Sequence, residues 1–435
     1  MDMELISREI MKPSSPTPPH LETYPLSFMD VKTHPTYVPL VYFYRSNNHQ
    51  PQESTIAILK KSLSEALSMY YPIAGRFRGQ VAIHCKDQGV PLLITAIKGD
   101  LSHILKNPTP ANILPLFPHN LPWTAMQNPT HDAILAIQIN TFSCGGIAIA
   151  LCMSHKFSDI SALFNFVNDW AAITKNYQNQ NQNHHSLSLP SPPLLHAGVS
   201  LFPLGDFPVY PEPQYPENHN TVCKRFVFQG SRIDSLKAMA APVHATRIQA
   251  VTALICKCAI SALGLSTNTP LLSSVAVNLR NRIDPPIPNK TIGNMISFFT
   301  FSSSQTDQVA ELVSKMKEGM ADGEKQMKKY GGKDRDLDFI AEFMKQEEAE
   351  VPVDPVMIFS SWCRFSMYEA DFGWEKPVWI TSLSNVTNLV ILMDARDGKG
   401  MEVIVSMEEE HMARFERNQD LVQYASLEPP LQFSH

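Results

Sequence analysis

Apolar residues recur at helical spacing in two long stretches of the chain. In the first stretch they fall on one face of a helix: Ile56, Leu59, Leu63, Ala66, Leu67 and Tyr70. This spacing predicts an amphipathic helix that ends before Pro72, since proline does not continue helical hydrogen bonding. The second stretch has the same period: Ile248, Val251, Ile255, Cys258 and Ala259. Thr246 suits the N-cap of this second helix, and Gly264 suits its C-cap.

Short runs of apolar and β-branched residues predict strands elsewhere. Leu135–Phe142 and Ile147–Ser154 are two such runs, and the Cys144-Gly145-Gly146 turn between them is typical of a β-hairpin. Further strands are expected at Leu272–Val277 and Leu389–Met393. Because helical and strand periods mix in both halves of the chain, we predict an α/β fold of the mixed α+β kind.

One segment has a composition that does not support a core. Residues 176–220 begin with an Asn/Gln tract and continue with eight prolines. We predict a crossover linker there, between an N-terminal lobe over residues 1–175 and a C-terminal lobe over residues 221–435. The heavily charged stretch Lys315–Glu350 is expected to form a solvated helix–loop–helix.

The overall composition narrows the class of protein. The 435 residues are 44% hydrophobic and 18% charged, which excludes disorder as the main state. With 36 basic and 42 acidic residues the net charge is −6, so the chain has no global basic surplus for sequence-independent nucleic-acid binding.

Cysteine usage and the N-terminus bear on the compartment. The seven cysteines include no CxxC pair, which favours reduced thiols over a disulfide framework and gives no metal-binding motif. The N-terminus has neither a basic n-region nor an apolar h-region, and apolar runs fall far short of the ~20 residues of a membrane span. We therefore expect a soluble, cytoplasmic protein.

The motif His155-Lys156-Phe157-Ser158-Asp159 lies between a predicted strand and a predicted helix. That position puts the histidine at the rim of a sheet, where clefts form. An imidazole with a pKa of about 6.5 can remove a proton from an alcohol or an amine. The HxxxD pattern is weak alone, because 15 histidines and an aspartate frequency of ~5% give about 0.75 chance matches. A rim histidine bonded to a backbone carbonyl remains the alternative.

A second landmark is Asp371-Phe372-Gly373-Trp374-Glu375 near the C-terminus. Gly373 indicates a backbone conformation that other residues avoid. A kinase DFG motif is excluded, because no glycine-rich loop, VAIK-like lysine or HRD segment accompanies it. A structural role is favoured for this segment.

The combination of HxxxD with a later DFGW element resembles the plant BAHD acyltransferases, which transfer acyl groups from coenzyme A thioesters to alcohols or amines. Further matching segments span most of the chain: Leu63–Gly79, the CGG turn, Lys224–Phe228, Val277–Asn294 and Ser360–Pro377. Within the family, the SSPTP opening and the VNLRNR segment are most similar to the alkaloid-acetylating branch.

The resemblance implies two similar lobes of chloramphenicol-acetyltransferase type with a channel between them. Acyl-CoA and the acceptor would enter this channel from opposite sides and meet at His155. His155 would be the general base, while Asp159 would form a salt bridge with Arg280 and would not orient the histidine.

Further roles are implied by the same resemblance. The indole N–H of Trp362 would stabilise the oxyanion, Ser360 would supply a neighbouring hydroxyl at the catalytic site, and Thr246 would contact CoA. Asp371 and Gly373 would be structural. No metal and no permanently bound cofactor are expected, and acyl-CoA, with acetyl-CoA favoured, would be the co-substrate.

The expected partners are a small-molecule acceptor alcohol or amine and acyl-CoA, without nucleic acid or membrane, for a monomeric enzyme. The leading hypothesis is acetylation of a hydroxyl on an alkaloid. N-acylation, malonyl or aromatic acyl transfer, and a non-catalytic ligand-binding relative are alternatives. A peptide-synthesis condensation domain is disfavoured, because Ser154 stands where that class has a second histidine.

Two positions depart from the family pattern. Ile160 follows Asp159 where many relatives have glycine, and Glu375 replaces the last glycine of DFGWG. Glutamate at a position with positive φ would cost about 1–2 kcal/mol. We expect the turn at Glu375 to have adapted to a conformation that glutamate accepts without strain.

Overall fold

A computed structural model describes residues 1–45, 52–118, 121–181, 189–205, 220–241, 243–327 and 356–431. The strands are β1 Met3–Met11, β2 Thr23–Pro25, β3 Tyr37–Tyr44, β4 Arg76–Arg78, β5 Ala82–His84, β6 Val90–Ile97, β7 Leu135–Phe142, β8 Ile147–Ser154, β9 Thr221–Phe228, β10 Leu271–Asn278, β11 Ile296–Ser303, β12 Val356–Ser361, β13 Trp379–Thr381, β14 Leu389–Asp394, β15 Met401–Glu408 and β16 Ala425–Leu427.

The α-helices are α1 Phe28–Lys32, α2 Gln52–Met69, α3 Leu101–Lys106, α4 Pro110–Ile113, α5 Ile160–Asn181, α6 Ala197–Leu201, α7 Gly230–Met239, α8 Arg247–Leu263, α9 Val309–Met327, α10 Glu409–Phe415 and α11 Gln419–Tyr424. Short 3-10 turns lie at Pro19–Leu21, Tyr71–Ala74, Leu114–Leu116 and Met367–Glu369.

Two large sheets organise the described part of the chain. The first has the order β1-β6-β7-β8-β3-β13, and the second has the order β11-β10-β12-β14-β15-β9-β16. Both are mixed, since β6 and β7 are parallel in the first, while β10, β12 and β14 are parallel in the second. A small sheet, β2-β5-β4, accompanies them. The predicted mixed α/β fold is confirmed.

Local sequence signals correspond closely to the elements. The predicted hairpin is the antiparallel pair β7–β8. Helix α8 begins with a capping box in which the Thr246 hydroxyl accepts from the Gln249 amide, and it ends at Gly264 with φ of +68°. The first predicted helix is α2, which ends at Met69 just before the turn that contains Pro72.

The division of the chain does not coincide with the division between sheets. Helix α5 continues through Asn181, so the expected boundary after residue 175 falls inside a helix, and the buried Gln178 lies beyond it. Strand β13, from the C-terminal half, pairs with β3 in the first sheet. Its Trp379 donates to Glu402 of the second sheet, which also forms a buried ion pair with Arg225. These contacts bind the two sheets together.

Further sequence expectations concern the charged stretch, the cysteines and possible membrane or metal-binding elements. Helix α9 begins before the charged stretch at residues 315–350, but residues 328–355, including the Gly331-Gly332 pair, lie outside the described residues. All seven cysteines are free. In the described ranges, no helix is long and apolar enough to span a bilayer, and no group of three or more His, Cys, Asp or Glu side chains could hold a metal ion.

Candidate active site

His155 lies directly after a buried strand. Strand β8 ends at Ser154, and helix α5 begins at Ile160, so the histidine is in the strand-to-helix turn at the rim of the first sheet. Its backbone amide donates to the Thr36 carbonyl over 2.7 Å, which ties the turn to the start of β3. The side chain is half-buried. The rim position that the sequence predicted is therefore present.

Asp159 and Arg280 form a buried, two-pronged ion pair. The guanidinium nitrogens Nη1 and Nη2 lie 2.7 and 3.1 Å from the two carboxylate oxygens, and the side chains are 0% and 3% exposed for Arg280 and Asp159 respectively. Asp159 also caps α5, since its Oδ1 accepts from the Ala162 amide. Its Oδ2 accepts from the Met295 amide over 2.9 Å. The carboxylate thus joins the motif loop to the second half of the chain.

Asn294, and not Asp159, is the hydrogen-bond partner of the imidazole. Its Oδ1 lies 3.0 Å from Nδ1 of His155, and its Nδ2 donates to the His155 carbonyl over 2.9 Å. Asn294 is fully buried. Sequence reasoning missed this residue, although it is the last residue of the family-like segment Val277–Asn294 and was therefore within reach.

Trp362 and Ser360 are in contact with each other. The indole Nε1 donates to the Ser360 hydroxyl over 3.1 Å, and the indole is almost fully buried. Ser360 is opposite Ala276 in the parallel pair of β12 and β10. Because parallel strands end at the same sheet edge, Ser360 lies at the edge from which the chain continues to Arg280.

Trp362 also reaches the helix that follows the HxxxD motif. Its ring packs edge-on against Phe164 of α5, with ring centroids 6.3 Å apart. The next residue, Cys363, is buried, and burial raises the pKa of its thiol to about 12. This thiol stays protonated at neutral pH and is not a nucleophile.

The DFGWE segment has a structural geometry. Lys175 forms an ion pair with Asp371 over 2.6 Å, and the other carboxylate oxygen of Asp371 accepts from the Gly373 amide. Gly373 has φ of +97°, and a Cβ there would clash with Oε1 of Gln178. Phe372 packs edge-on against Trp170, with centroids 5.0 Å apart. The segment is thereby anchored to α5.

The expectation for Glu375 is wrong. Its φ is +83°, so the turn has kept a left-handed conformation instead of adapting to the side chain. The residue is exposed, and the neighbouring Lys376 pairs with Glu369. Glutamate therefore occupies a backbone conformation that favours glycine.

Thr246 lies apart from the contacts that connect the other site residues. Its side-chain hydroxyl accepts from the Gln249 amide, and its own amide donates to the Gln249 side chain. Beside it, Arg247 forms an ion pair with Asp394. The structure thus joins His155 with Asn294, Asp159 with Arg280, and Trp362 with Ser360, while Thr246 sits at the N-terminus of α8.

Relatives with known activities resemble the chain along nearly its full length. A 17,18-epoxy-17-hydroxycur-19-ene N-malonyltransferase from Strychnos nux-vomica is 35% identical, over 98% of this chain and 91% of the relative. A limonoid 1-O-acetyltransferase from Citrus sinensis is 32% identical, over 99% and 100%. The stemmadenine O-acetyltransferase of Catharanthus roseus is 33% identical, over 94% and 95%.

Solved structures agree with this relationship. Vinorine synthase superposes with a TM-score of 0.83 and 29% identity, covering 98% of this chain and 99% of that one. TRI101 of F. graminearum, complexed with coenzyme A and T-2 mycotoxin, has a TM-score of 0.69 at 14% identity, covering 93% and 99%, which shows the fold alone. The model of the Transferase family matches residues 1–422. The chain is therefore an acyltransferase and belongs to the plant BAHD family of acyl-CoA-dependent acyltransferases.

Proposed function

We propose that this enzyme transfers an acetyl group from acetyl-CoA to a hydroxyl of a plant alkaloid, with His155 as the general base. The stemmadenine and limonoid O-acetyltransferases among its relatives support acetyl transfer to a hydroxyl acceptor. The half-buried position of His155 at a sheet rim suits a group that must reach a substrate.

The observation that carries the proposal is the hydrogen bond between His155 and Asn294. An amide oxygen only accepts hydrogen bonds, so Nδ1, which lies 3.0 Å from Oδ1 of Asn294, carries the imidazole proton. The neutral imidazole then has its lone pair on Nε2. That nitrogen is the one free to take a proton from the acceptor.

The reaction follows from this arrangement. Nε2 of His155 removes the proton from the acceptor hydroxyl as its oxygen attacks the thioester carbonyl carbon. The carbonyl π electrons move to oxygen and give a tetrahedral oxyanion. When the oxyanion collapses, the C–S bond breaks and the CoA thiolate takes the proton from the imidazolium.

The oxyanion needs a hydrogen-bond donor. In our proposal Ser360 supplies it, because its oxygen already accepts from the Trp362 indole and its own O–H remains able to donate. Trp362 then acts through Ser360, by polarising the hydroxyl and holding it in place. This differs from direct donation by the indole, which the family resemblance implied.

Malonyl transfer is the second candidate, and the N-malonyltransferase relative favours it. A malonyl carboxylate needs a cation. Arg364 follows Trp362 by two residues and is exposed, and its backbone is held by the Asp394 carboxylate. Arg396 is exposed on the loop after β14.

A panel of donors and acceptors tests these proposals. Acetyl-, malonyl- and aromatic acyl-CoAs would each be incubated with a hydroxylated alkaloid, a limonoid alcohol and a secondary amine, with free thiol and product mass as readouts. Acetyl ester formation that disappears in His155→Ala is the expected result. Thioester binding without thiol release would indicate a non-catalytic relative, and amide formation would indicate N-acylation.

A further inference from the structure

A buried carboxylate lies behind the partner of the catalytic imidazole. Asp30 belongs to the short helix α1, is 2% exposed, and accepts four hydrogen bonds, two from Ser27 at the N-cap of the same helix and two from the distant Asn294. Its Oδ2 accepts from the Ser27 amide and hydroxyl over 3.0 and 2.6 Å. Its Oδ1 accepts from the Asn294 amide and from Asn294 Nδ2 over 2.7 and 3.0 Å.

The location of Asp30 is at the boundary between the two halves of the molecule. Its neighbours Phe28 and Met29 pack into the hydrophobic core of the second sheet, although α1 is near the N-terminus. Burial raises the pKa of Asp30 to about 6, while the bonds from Ser27 and Asn294 lower it. A buried carboxylate is costly unless it is hydrogen-bonded, and the bonds from Ser27 and Asn294 compensate Asp30 for its burial.

Asp30 and the His155 carbonyl together set the direction in which the Asn294 side-chain amide points. A side-chain amide can be turned over with almost no change in shape. In the observed orientation Nδ2 has two acceptors, Asp30 Oδ1 and the His155 carbonyl. In the opposite orientation the amide oxygen would face both of these acceptors, which repel it. Asp30 therefore keeps the amide oxygen directed at Nδ1.

The same segment is held from its other side by the HxxxD aspartate. Asp159 accepts from the Met295 amide, and Arg280 donates to the Gly293 carbonyl over 3.4 Å. Gly293 has φ of +109°, and a Cβ there would lie 3.2 Å from Oδ1 of Asp30. Residues 293–295 thus pass between two buried carboxylates, with Asn294 presented to the histidine.

We propose that Asp30 is a positioning residue for catalysis, which acts through Asn294 to keep the proton of neutral His155 on Nδ1 and the lone pair on Nε2. This inference rests on the proposed role of His155 as general base. If Asn294 turned over, its NH₂ group would donate to Nδ1, the proton would move to Nε2, and the base would be lost.

Asp30→Asn is the most direct test. It keeps the shape of the side chain but replaces one acceptor oxygen by an NH₂ group, which would face the hydrogen-bond donors of Ser27 or Asn294. We expect kcat to fall about 10-fold or more, less than the ~10²–10⁴-fold attributed to a general base, with KM for acyl-CoA little changed. Ser27→Ala is the matched control, since it removes a hydrogen bond from the opposite oxygen of Asp30. It should lower Tm but leave kcat within about twofold, as the Asn294 contacts with Oδ1 remain.

Exchanging the side chains of Asp30 and Asn294 tests whether the two residues act together on His155. Asn294→Asp alone puts two buried carboxylates together and should reduce kcat strongly. In Asp30→Asn/Asn294→Asp, the new amide can donate to the new carboxylate, which still accepts from Nδ1. The kcat of the double variant should be at least about 10-fold higher than that of Asn294→Asp. The acid limb of its pH profile should move to higher pH than in the wild type, because an adjacent anion favours the imidazolium form of His155.

The tautomer of His155 can be determined without an activity assay. Nitrogen-15 NMR of imidazole-labelled enzyme, with the His155 signals assigned by their absence in His155→Gln, should show Nδ1–H in the wild type and Nε2–H in Asp30→Asn. Wild-type Nδ1–H in an enzyme whose His155→Ala variant stays active would overturn the general-base proposal but not the tautomer assignment. An Asp30→Asn variant with the wild-type tautomer and kcat, and a Tm as low as that of Ser27→Ala, would overturn the positioning role.

Discussion

Arg280 donates hydrogen bonds from two guanidinium nitrogens to both carboxylate oxygens of Asp159, at 2.7 and 3.1 Å. The remaining bonds of this carboxylate come from the Ala162 and Met295 amides. The HxxxD aspartate therefore connects the two halves of the molecule, and the imidazole Nδ1 has Asn294 as its partner. The spacing in HxxxD reflects the start of helix α5, which Asp159 caps, more than a direct histidine–aspartate contact.

Asp159→Ala should reduce stability and activity together. It leaves the buried Arg280 without its anion, a change that typically costs about 3–5 kcal/mol. Thermal and urea unfolding measure the loss. Asp371→Ala is the matched control, since its pair with Lys175 is partly exposed and worth about 0–1 kcal/mol. If Asp159→Ala had the same Tm as the wild type and only kcat were reduced, the result would favour a direct catalytic role for the aspartate.

His155→Ala should reduce kcat by about 10²–10⁴-fold, the usual contribution of a general base. Tm should change little, because the side chain is half-buried at a rim and fills no core space. His103→Ala, on an exposed position of α3, controls for the loss of an imidazole elsewhere. Retention of more than about a tenth of kcat would contradict general-base catalysis by this residue.

Ser360→Ala and Trp362→Phe separate the two possible oxyanion donors. If the serine hydroxyl donates to the oxyanion, its removal should cost about 10²–10³-fold in kcat. Trp362→Phe keeps the ring packing against Phe164 but removes the N–H that holds Ser360, so a smaller loss is expected. Steady-state kinetics at saturating acyl-CoA measure both. A larger loss in Trp362→Phe than in Ser360→Ala would restore the indole as the direct donor.

Periodicity and turn residues in the sequence predicted the elements whose structure depends on neighbouring residues. The hairpin β7–β8 and the capped helix α8 depend on residues a few positions apart, so periodicity and turn chemistry identify them. The rim position of His155 follows from the strand and helix that flank it.

Contacts between segments that are far apart in the sequence could not be predicted from these local patterns. The bond from Asn294 to Asp30 joins residues 264 positions apart, and no local pattern distinguishes Asp30 from the N3 residue of an ordinary capping box. Likewise, β13 joins the first sheet from the other half of the chain through a three-residue strand, too short for a periodic signal. The site is therefore assembled by tertiary packing, and sequence alone supplied only the members that resemble family motifs.

Glu375→Gly should stabilise the protein. The residue has φ of +83° and an exposed side chain, so side-chain burial does not compensate for its backbone strain. Relief of a left-handed conformation is worth about 1–2 kcal/mol, and the added flexibility of glycine in the unfolded state costs about 0.4–1 kcal/mol. A net gain of up to about 1.6 kcal/mol is expected, measured as a rise in Tm.

Two further variants test whether this gain comes from the backbone. Glu375→Ala removes the carboxylate but keeps the Cβ, so it should leave Tm nearly unchanged, whereas the Glu375→Gly variant relieves the strain. Gly373→Ala should destabilise, because its φ is +97° and the new Cβ would meet Gln178. A rise in Tm with alanine equal to that with glycine would attribute the effect to the charge of Glu375, and a fall in Tm with glycine would mean that the turn holds no strain that glutamate must bear.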